Sequence, residues 1–311
     1  MRSSLKLGYF TLTLAQVGIS VNVVVSKYLV ETMPMFFLLA TRFCISTVVL
    51  GALLKLSHTA LAEPTHPEGK LTSNDWLLGI LQGIFAAFLF NLFFVWGLQY
   101  TTATAAGIVG STLPAIIAIS AVWLLKETLN LSTIMALILA MLGILVINFD
   151  HFEGAGNPNH SYFGDLLVFL AMFPEAWYSI LGRKLAGRMT PLGAAFISNL
   201  VGFITLLPCA LFTGAFELNV YSLGEWGLLL VAATSSLIFF WAWGWGLSFI
   251  PASTAAVFGG IMPVTITLLA MIFLGESLRW YDTAGILFVF VSIIVGAGWR
   301  PPFLRKAVRA S

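Results

Sequence analysis

The sequence predicts an all-α integral membrane protein of ten transmembrane helices, arranged as two five-helix units inserted in opposite directions. Three observations predict it: an extreme apolar composition, apolar stretches recurring from end to end, and an internal repeat at a constant offset. Of 311 residues, 59% are hydrophobic and 9% charged, against roughly a quarter charged in an ordinary soluble domain. A water-soluble fold is excluded. Crossing about 30 Å of hydrocarbon takes about 20 residues of helix, so ten spans consume most of the chain and leave short connections.

The spans fall near residues 8–26, 33–54, 76–98, 103–125 and 131–149, then 162–181, 191–214, 226–249, 252–274 and 281–299. Helix is the required form, because an unpaired amide in lipid costs several kcal/mol. The alternating ten-residue segments of a barrel do not occur. Arg2 and Lys6 precede the first span, and no small-residue cleavage site separates it from Lys27, so it is expected to be retained. Cys44 and Cys209 lie inside apolar spans, where a thiol behaves as a small hydrophobe. No disulfide or metal pair is expected.

Orientation follows from charge. With the N-terminus cytoplasmic, twelve of the fifteen Lys and Arg residues fall in inner segments, two (Lys27 and Arg279) fall outside, and Arg42 lies within a span. The positive-inside rule then places both termini in the cytoplasm. The net charge of +2 reflects topology, and no basic stripe points to nucleic acid. His58, His66, His151 and His160 all fall in loops.

The repeat is read by setting Thr104-Ala-Ala-Gly-Ile-Val-Gly-Ser-Thr-Leu-Pro114 over Ser253-Thr-Ala-Ala-Val-Phe-Gly-Gly-Ile-Met-Pro263, an offset of 149. The same offset carries Trp96-Gly97-Leu98 onto Trp245-Gly246-Leu247, Glu127 onto Glu276 and Leu129 onto Leu278; Asp75-Trp76 meets Glu225-Trp226 after a one-residue slip. This divides the chain into residues 1–150, residues 160–300 and a basic cytoplasmic tail, 301–311. Five is odd, so the second unit enters the membrane from the opposite side. Inverted repeats exchange conformations about a pseudo-two-fold axis in the membrane plane, the physical basis of alternating access.

The fourth and ninth spans carry small residues at four-residue spacing: Ala106, Gly110 and Pro114 in one, Ala255, Gly259 and Pro263 in the other. The stripe permits close helix packing. Gly110, Pro114, Gly259 and Pro263 are also candidate hinges, since a proline removes an amide and lets a helix bend. Glu127 and Glu276 each close a span, where a carboxylate opposes the helix dipole; each is expected to cap the start of the helix that follows.

Met33-Pro34 followed by Arg42, Pro114 with Lys126-Glu127, Ala176-Trp177-Tyr178 running into Arg183-Lys184, and Pro263 with Gly275-Glu276-Ser277-Leu278 together carry a resemblance. The chain resembles the drug/metabolite transporter (DMT) superfamily, specifically the EamA-type exporters with ten helices and two EamA repeats, and within them the aromatic amino acid exporter group. The resemblance covers essentially the whole chain. It implies a basket of helices one, three, four, six, eight and nine around a central cavity, with five and ten peripheral. It also implies movement of small metabolites. The polar stretch 57–74 between spans two and three is longer than the family pattern.

Intramembrane ionisable residues default to functional hypotheses, and Arg42 and Glu175 are the two clear ones. Glu175 follows Pro174 near the middle of span six, with Trp177 and Tyr178 beside it. An acid there suits an amine or a proton. Arg42 lies about 13 Å inside span two at 1.5 Å per residue, where a structural or snorkelling role is expected. Gln16 and Ser20 share one face of span one and Asn22 and Ser26 another. Asn91 and Phe94 of span three and Trp241 and Trp245 of span eight add amide and aromatic groups. The candidate substrate-binding residues are therefore Gln16, Ser20, Asn22, Asn91, Phe94, Glu175, Trp177, Tyr178 and Trp241. Trp243 and Trp245 serve equally as interfacial anchors.

The expectation is a transporter in a bacterial-type inner membrane, exporting or facilitating small metabolites, with aromatic or hydrophobic amino acids as leading substrates. A multidrug or organic-cation exporter of the same fold is the alternative. A lipid-modifying membrane enzyme is disfavoured, as no HExxH, GxSxG or GxxxxGK motif occurs. No metal or cofactor is expected. The expected partners are a small-molecule substrate and the lipid bilayer, with a proton as candidate coupling ion.

Overall fold

The computed structural model describes residues 2–29, 32–98, 100, 109–110, 112–147, 162–212, 221–274 and 280–296. Ala106, Glu276, His151, His160 and the basic tail lie outside them. The elements are α1 (Arg2–Leu29), α2 (Met35–Leu56), α3 (Ser73–Gly83), a π-helical turn (Ile84–Leu89), α4 (Phe90–Leu98), α5 (Leu113–Leu125), α6 (Leu131–Ile147), α7 (Tyr162–Leu185), α8 (Pro191–Phe212), α9 (Leu223–Phe249), α10 (Ala252–Phe258), α11 (Ile261–Leu274) and α12 (Trp280–Gly296). Among the described residues six helical stretches are long and apolar enough to cross a membrane. Shorter apolar helices at Leu113–Leu125, Leu131–Val146, Ala252–Ile266 and Thr283–Gly296 fall within the other four stretches read from the sequence.

Prolines mark several helix starts: Pro34 and Pro251 stand just before α2 and α10, Pro191 opens α8, and Pro114 is the second residue of α5. There the missing amide has no intrahelical partner to lose. The echo of Asp75-Trp76 in Glu225-Trp226 lands on two matching capping boxes. Thr72 and Asp75 close α3, and Ser222 and Glu225 close α9, each hydroxyl accepting from the acid's amide while the carboxylate accepts from the cap's amide.

Close approach fixes how the helices run. A β-carbon on Gly246 would come within 2.5 Å of Leu12, and one on Gly18 within 3.1 Å of the Ser235 carbonyl, so α1 and α9 are antiparallel. Gly97, the repeat equivalent of Gly246, admits α7, where a β-carbon would sit 2.8 Å from Val168, and Tyr100 just beyond α4 meets Phe163 at 5.8 Å, so α4 and α7 are antiparallel too. Gly79 faces Ile197 while Gly83 faces Val201, so α3 and α8 run parallel. The other principal pairings are α2 with α8, α6 with α12, α5 with α7 and α10, and α1 with α11. Most of these map onto one another when the first and second sets of elements are exchanged. Outward faces carry exposed apolar side chains, such as Ile138 and Leu142 of α6 and Phe290 and Ile294 of α12.

At the end where α2 finishes and α3 begins, the polar stretch 57–72 is strapped to the α7–α8 connection. Ala62 and Met189 form an isolated antiparallel bridge, with Glu63 N donating to Arg188 O at 2.9 Å and Thr190 N to Leu61 O at 2.9 Å. Beneath it, the fully buried Asp75 accepts from Arg188 Nη1 at 3.0 Å and pairs with His66 Nε2 at 3.0 Å.

The same end corrects the expectation for Glu127. Its carboxylate reaches the first turn of α10, accepting from Ala252 N at 2.9 Å, Ser253 N at 3.1 Å and Ser253 Oγ at 2.6 Å. The following helix, α6, is capped by Asn130, which accepts from Thr133 N at 2.8 Å. The dipole explains the choice: a carboxylate at the negative end of α5 gains by meeting the unpaired amides of another helix. Lys126, left-handed at φ 55°, makes the turn that releases it.

Candidate functional site

Pro174 lies within α7 and Glu175 follows it. A proline inside a helix removes one backbone hydrogen bond and crowds the carbonyl four residues back, so α7 is loosened next to its acid. Glu175 is partly buried and has no hydrogen bond or ion pair among the described residues. Trp177 packs on Phe85 of the π-helical turn, ring centroids 5.6 Å apart. Tyr178, 1% exposed, lies edge-on to Phe240 of α9 at 5.6 Å and tilted on Phe239 at 6.0 Å.

The π-helical turn faces this group from α3 and α4. Such turns interrupt the regular ladder and occur often at functional sites. Asn91 Nδ2 donates to the carbonyls of Ala87 at 2.7 Å and Ala86 at 3.4 Å, both within the turn. Phe94 stacks on Phe90 at 5.2 Å and packs against Val168, Ala171 and Met172 of α7. Gln82 Nε2 reaches the Tyr178 carbonyl at 3.5 Å, while Gln82 Oε1 and Ser179 Oγ are buried without a partner.

The α1 candidates lie elsewhere. Ser20 Oγ donates within α1 to Gln16 O at 2.6 Å and across to Met262 O of α11 at 3.1 Å, next to Pro263. Gln16 is buried. Asn22 Nδ2 donates to Ala232 O of α9 at 2.7 Å, and Asn22 Oδ1 accepts from Arg42 Nη1 at 2.8 Å. Arg42 is 8% exposed, so its head is held among helices and does not snorkel.

Trp241 meets Trp245 edge-on at 5.1 Å, whereas Trp243 is 3% exposed and stacks on Phe239 at 6.0 Å. Trp243 is therefore a core residue. Gly259 and Gly260 separate α10 from α11, and Pro114 is buried at the start of α5. A β-carbon on Gly110 would meet nothing within 4 Å.

Trp177 thus meets Asn91's turn and Tyr178 meets rings of α9, with Glu175 on the same stretch of α7. Phe85, Gln82, Phe239 and Phe240 join the site without having been singled out in the sequence. Gln82, an amide in an apolar run, carried a signal that was passed over; the phenylalanines gave none among 26 of their kind.

These features define a polytopic membrane protein with a half-buried acid, unpaired among the described residues, on a helix whose neighbouring aromatic side chains pack inward. The EamA-like transporter family model matches the chain twice, over residues 6–149 and 162–296. The chain belongs to this family of the DMT type and is a multi-pass membrane transporter. It is 31% identical to the uncharacterized transporter YetK of Bacillus subtilis (strain 168) over 292 residues, 92% of this chain and 86% of the other. It is also 27% identical to the S-adenosylmethionine uptake transporter of Rickettsia felis (strain ATCC VR-1525 / URRWXCal2), over 72% of each. A solved protein structure at 20% identity superposes with a TM-score of 0.76 over 99% of both chains, a likeness of fold.

Proposed function

We propose that the protein moves amino acids, especially aromatic or hydrophobic ones, out across a bacterial-type inner membrane by alternating access between two inverted five-helix halves. The observation that carries the substrate class is Glu175, a carboxylate without a hydrogen-bond or ion-pair partner among the described residues, on the same stretch of α7 as Trp177 and Tyr178. A half-buried carboxylate on a helix bearing aromatic rings suits an ammonium group attached to an apolar body. The inverted arrangement is supported by the twofold family match, the paired capping boxes, the antiparallel run of α1 on α9 and of α4 on α7, and the parallel run of α3 and α8. Charge distribution puts both termini in the cytoplasm. Glu175 is also the candidate carrier of a coupling proton.

Export of organic cations is the second reading, favoured by the same unpaired acid and rings. The Rickettsia relative adds weight to a substrate combining both, since S-adenosylmethionine is an amino acid bearing a sulfonium cation. The test is flux of labelled amino acids and lipophilic cations in liposomes holding the purified protein. Amino acid flux above that of protein-free liposomes is expected, with Glu175→Gln losing most of it. Flux equal to empty liposomes across a broad panel refutes the amino acid reading, and unchanged Glu175→Gln flux at every pH excludes the acid as proton carrier.

A further inference from the structure

Arg42 is a second charge without a counter-charge. Its guanidinium, five N–H donors that stay protonated, is 8% exposed and finds one side-chain acceptor, Asn22 Oδ1 at 2.8 Å. Asn22 is spent in both directions, because its amide already donates to Ala232 O of α9. Arg42 Nε is buried with no acceptor, and no carboxylate among the described residues lies within ion-pair distance. One helical turn from Asn22, on the same face of α1, Ser26 Oγ is likewise buried without a partner.

Depth brings Asn22 and Arg42 to one level, with Ser26 about 6 Å nearer the end of α1. Asn22 stands seven residues before the end of α1 and Arg42 seven after the start of α2, each about 10 Å from its helix end. Ser46, one turn deeper on α2, spends its hydroxyl on Ala233 O of α9. The junction of α1, α2 and α9 therefore presents buried donors and a fixed positive charge, with its nearby acceptors committed. A buried cation is retained where it meets an anion, and guanidinium geometry matches a carboxylate's two oxygens.

We propose that Arg42, with Ser26, forms the subsite that recognises the carboxylate of the transported solute, complementing the acid on α7. This rests on the amino acid reading above and adds the second half of a zwitterion. It makes Arg42 a specificity-determining residue as well as a packing one.

The test uses the full-length protein in detergent and matched probes. These are phenylalanine, 2-phenylethylamine (no carboxylate) and 3-phenylpropionate (no amine), with the corresponding leucine set. The readout is the concentration giving half-maximal thermal stabilisation. Arg42→Gln should weaken the amino acids and the acids at least about tenfold and leave the amines within about twofold. Arg42→Lys should retain part of the carboxylate preference, and Ser26→Ala should weaken carboxylate probes about threefold. Ser26→Ala leaves the charge in place, so the acid-to-amine ratio stays measurable if Arg42→Gln does not fold. Equal weakening of all three probe types, or none, overturns the proposal. Amines that stabilise while acids and amino acids do not would sink Arg42 as a subsite and leave the Glu175 reading standing. No stabilisation by any probe removes both.

Discussion

Replacing Glu127 by alanine should loosen the contact between α5 and α10, which are 125 residues apart in sequence at this point. The carboxylate receives three hydrogen bonds, from Ala252 N, Ser253 N and Ser253 Oγ. Bonds to charged groups are worth about 1.5–3 kcal/mol when measured one at a time, yet removing a helix cap costs about 0.5–2 kcal/mol. The group is partly exposed, so water recovers some of the loss and the lower range applies. We expect about 2 kcal/mol for Glu127→Ala and about 1 kcal/mol for Glu127→Gln, which keeps one acceptor oxygen. At about 2–4 °C per kcal/mol, the alanine variant should melt roughly 5 °C lower in detergent. Ser253→Ala completes a double-mutant cycle, with an expected coupling of about 1 kcal/mol. An unchanged Tm for Glu127→Ala, or additivity within about 0.3 kcal/mol, would show that the carboxylate does not join these helices.

Gly246→Leu and Gly97→Leu should each lower thermal stability, because a β-carbon there already comes within 2.5 Å and 2.8 Å of Leu12 and Val168. Overpacking of this kind costs about 1–3 kcal/mol, and wild-type melting in either variant would contradict the close approach. Asp75→Asn should release the strap between stretch 57–72 and the α7–α8 connection, since it weakens the cap of α3 and both long-range bonds, to His66 and Arg188. Limited proteolysis between residues 57 and 72 should accelerate in that variant, and an unchanged cleavage rate would count against the strap.

Much of the architecture was legible in the chain itself. Apolar length and charge placement are local quantities that the bilayer reads directly, and the offset of 149 is visible without any contact map. The structural counterparts of that repeat appear at particular residues: Asp75 and Glu225 cap α3 and α9 in the same way, and Gly97 and Gly246 each admit a neighbouring helix. The site was half legible. Glu175, Trp177 and Tyr178 stood out because charge and amphipathic rings are rare in an apolar helix, and Asn91 for the same reason. Phe85 and Phe239 did not, because a phenylalanine in a membrane span faces lipid, core or cavity with the same sequence signature.

What the sequence determined by itself is a multi-pass membrane chain with a repeated pattern: enough apolar residues to cross hydrocarbon several times, and a motif that recurs at a constant offset. Tertiary structure alone decided the partners. Glu127 reads locally as a cap for the next helix, yet the nearest unpaired amides belong to α10. Arg42 reads as either a structural or a snorkelling cation, and only the contact with Asn22 of α1 chooses the first. The π-helical turn at Ile84–Leu89 follows Gly83 directly but has no proline or glycine within it, and one glycine in an apolar helix does not announce a change of ladder. Each case has one physical cause: hydrogen bonding and ion pairing are short-ranged in space and indifferent to separation along the chain. Apolar length, by contrast, is written residue by residue.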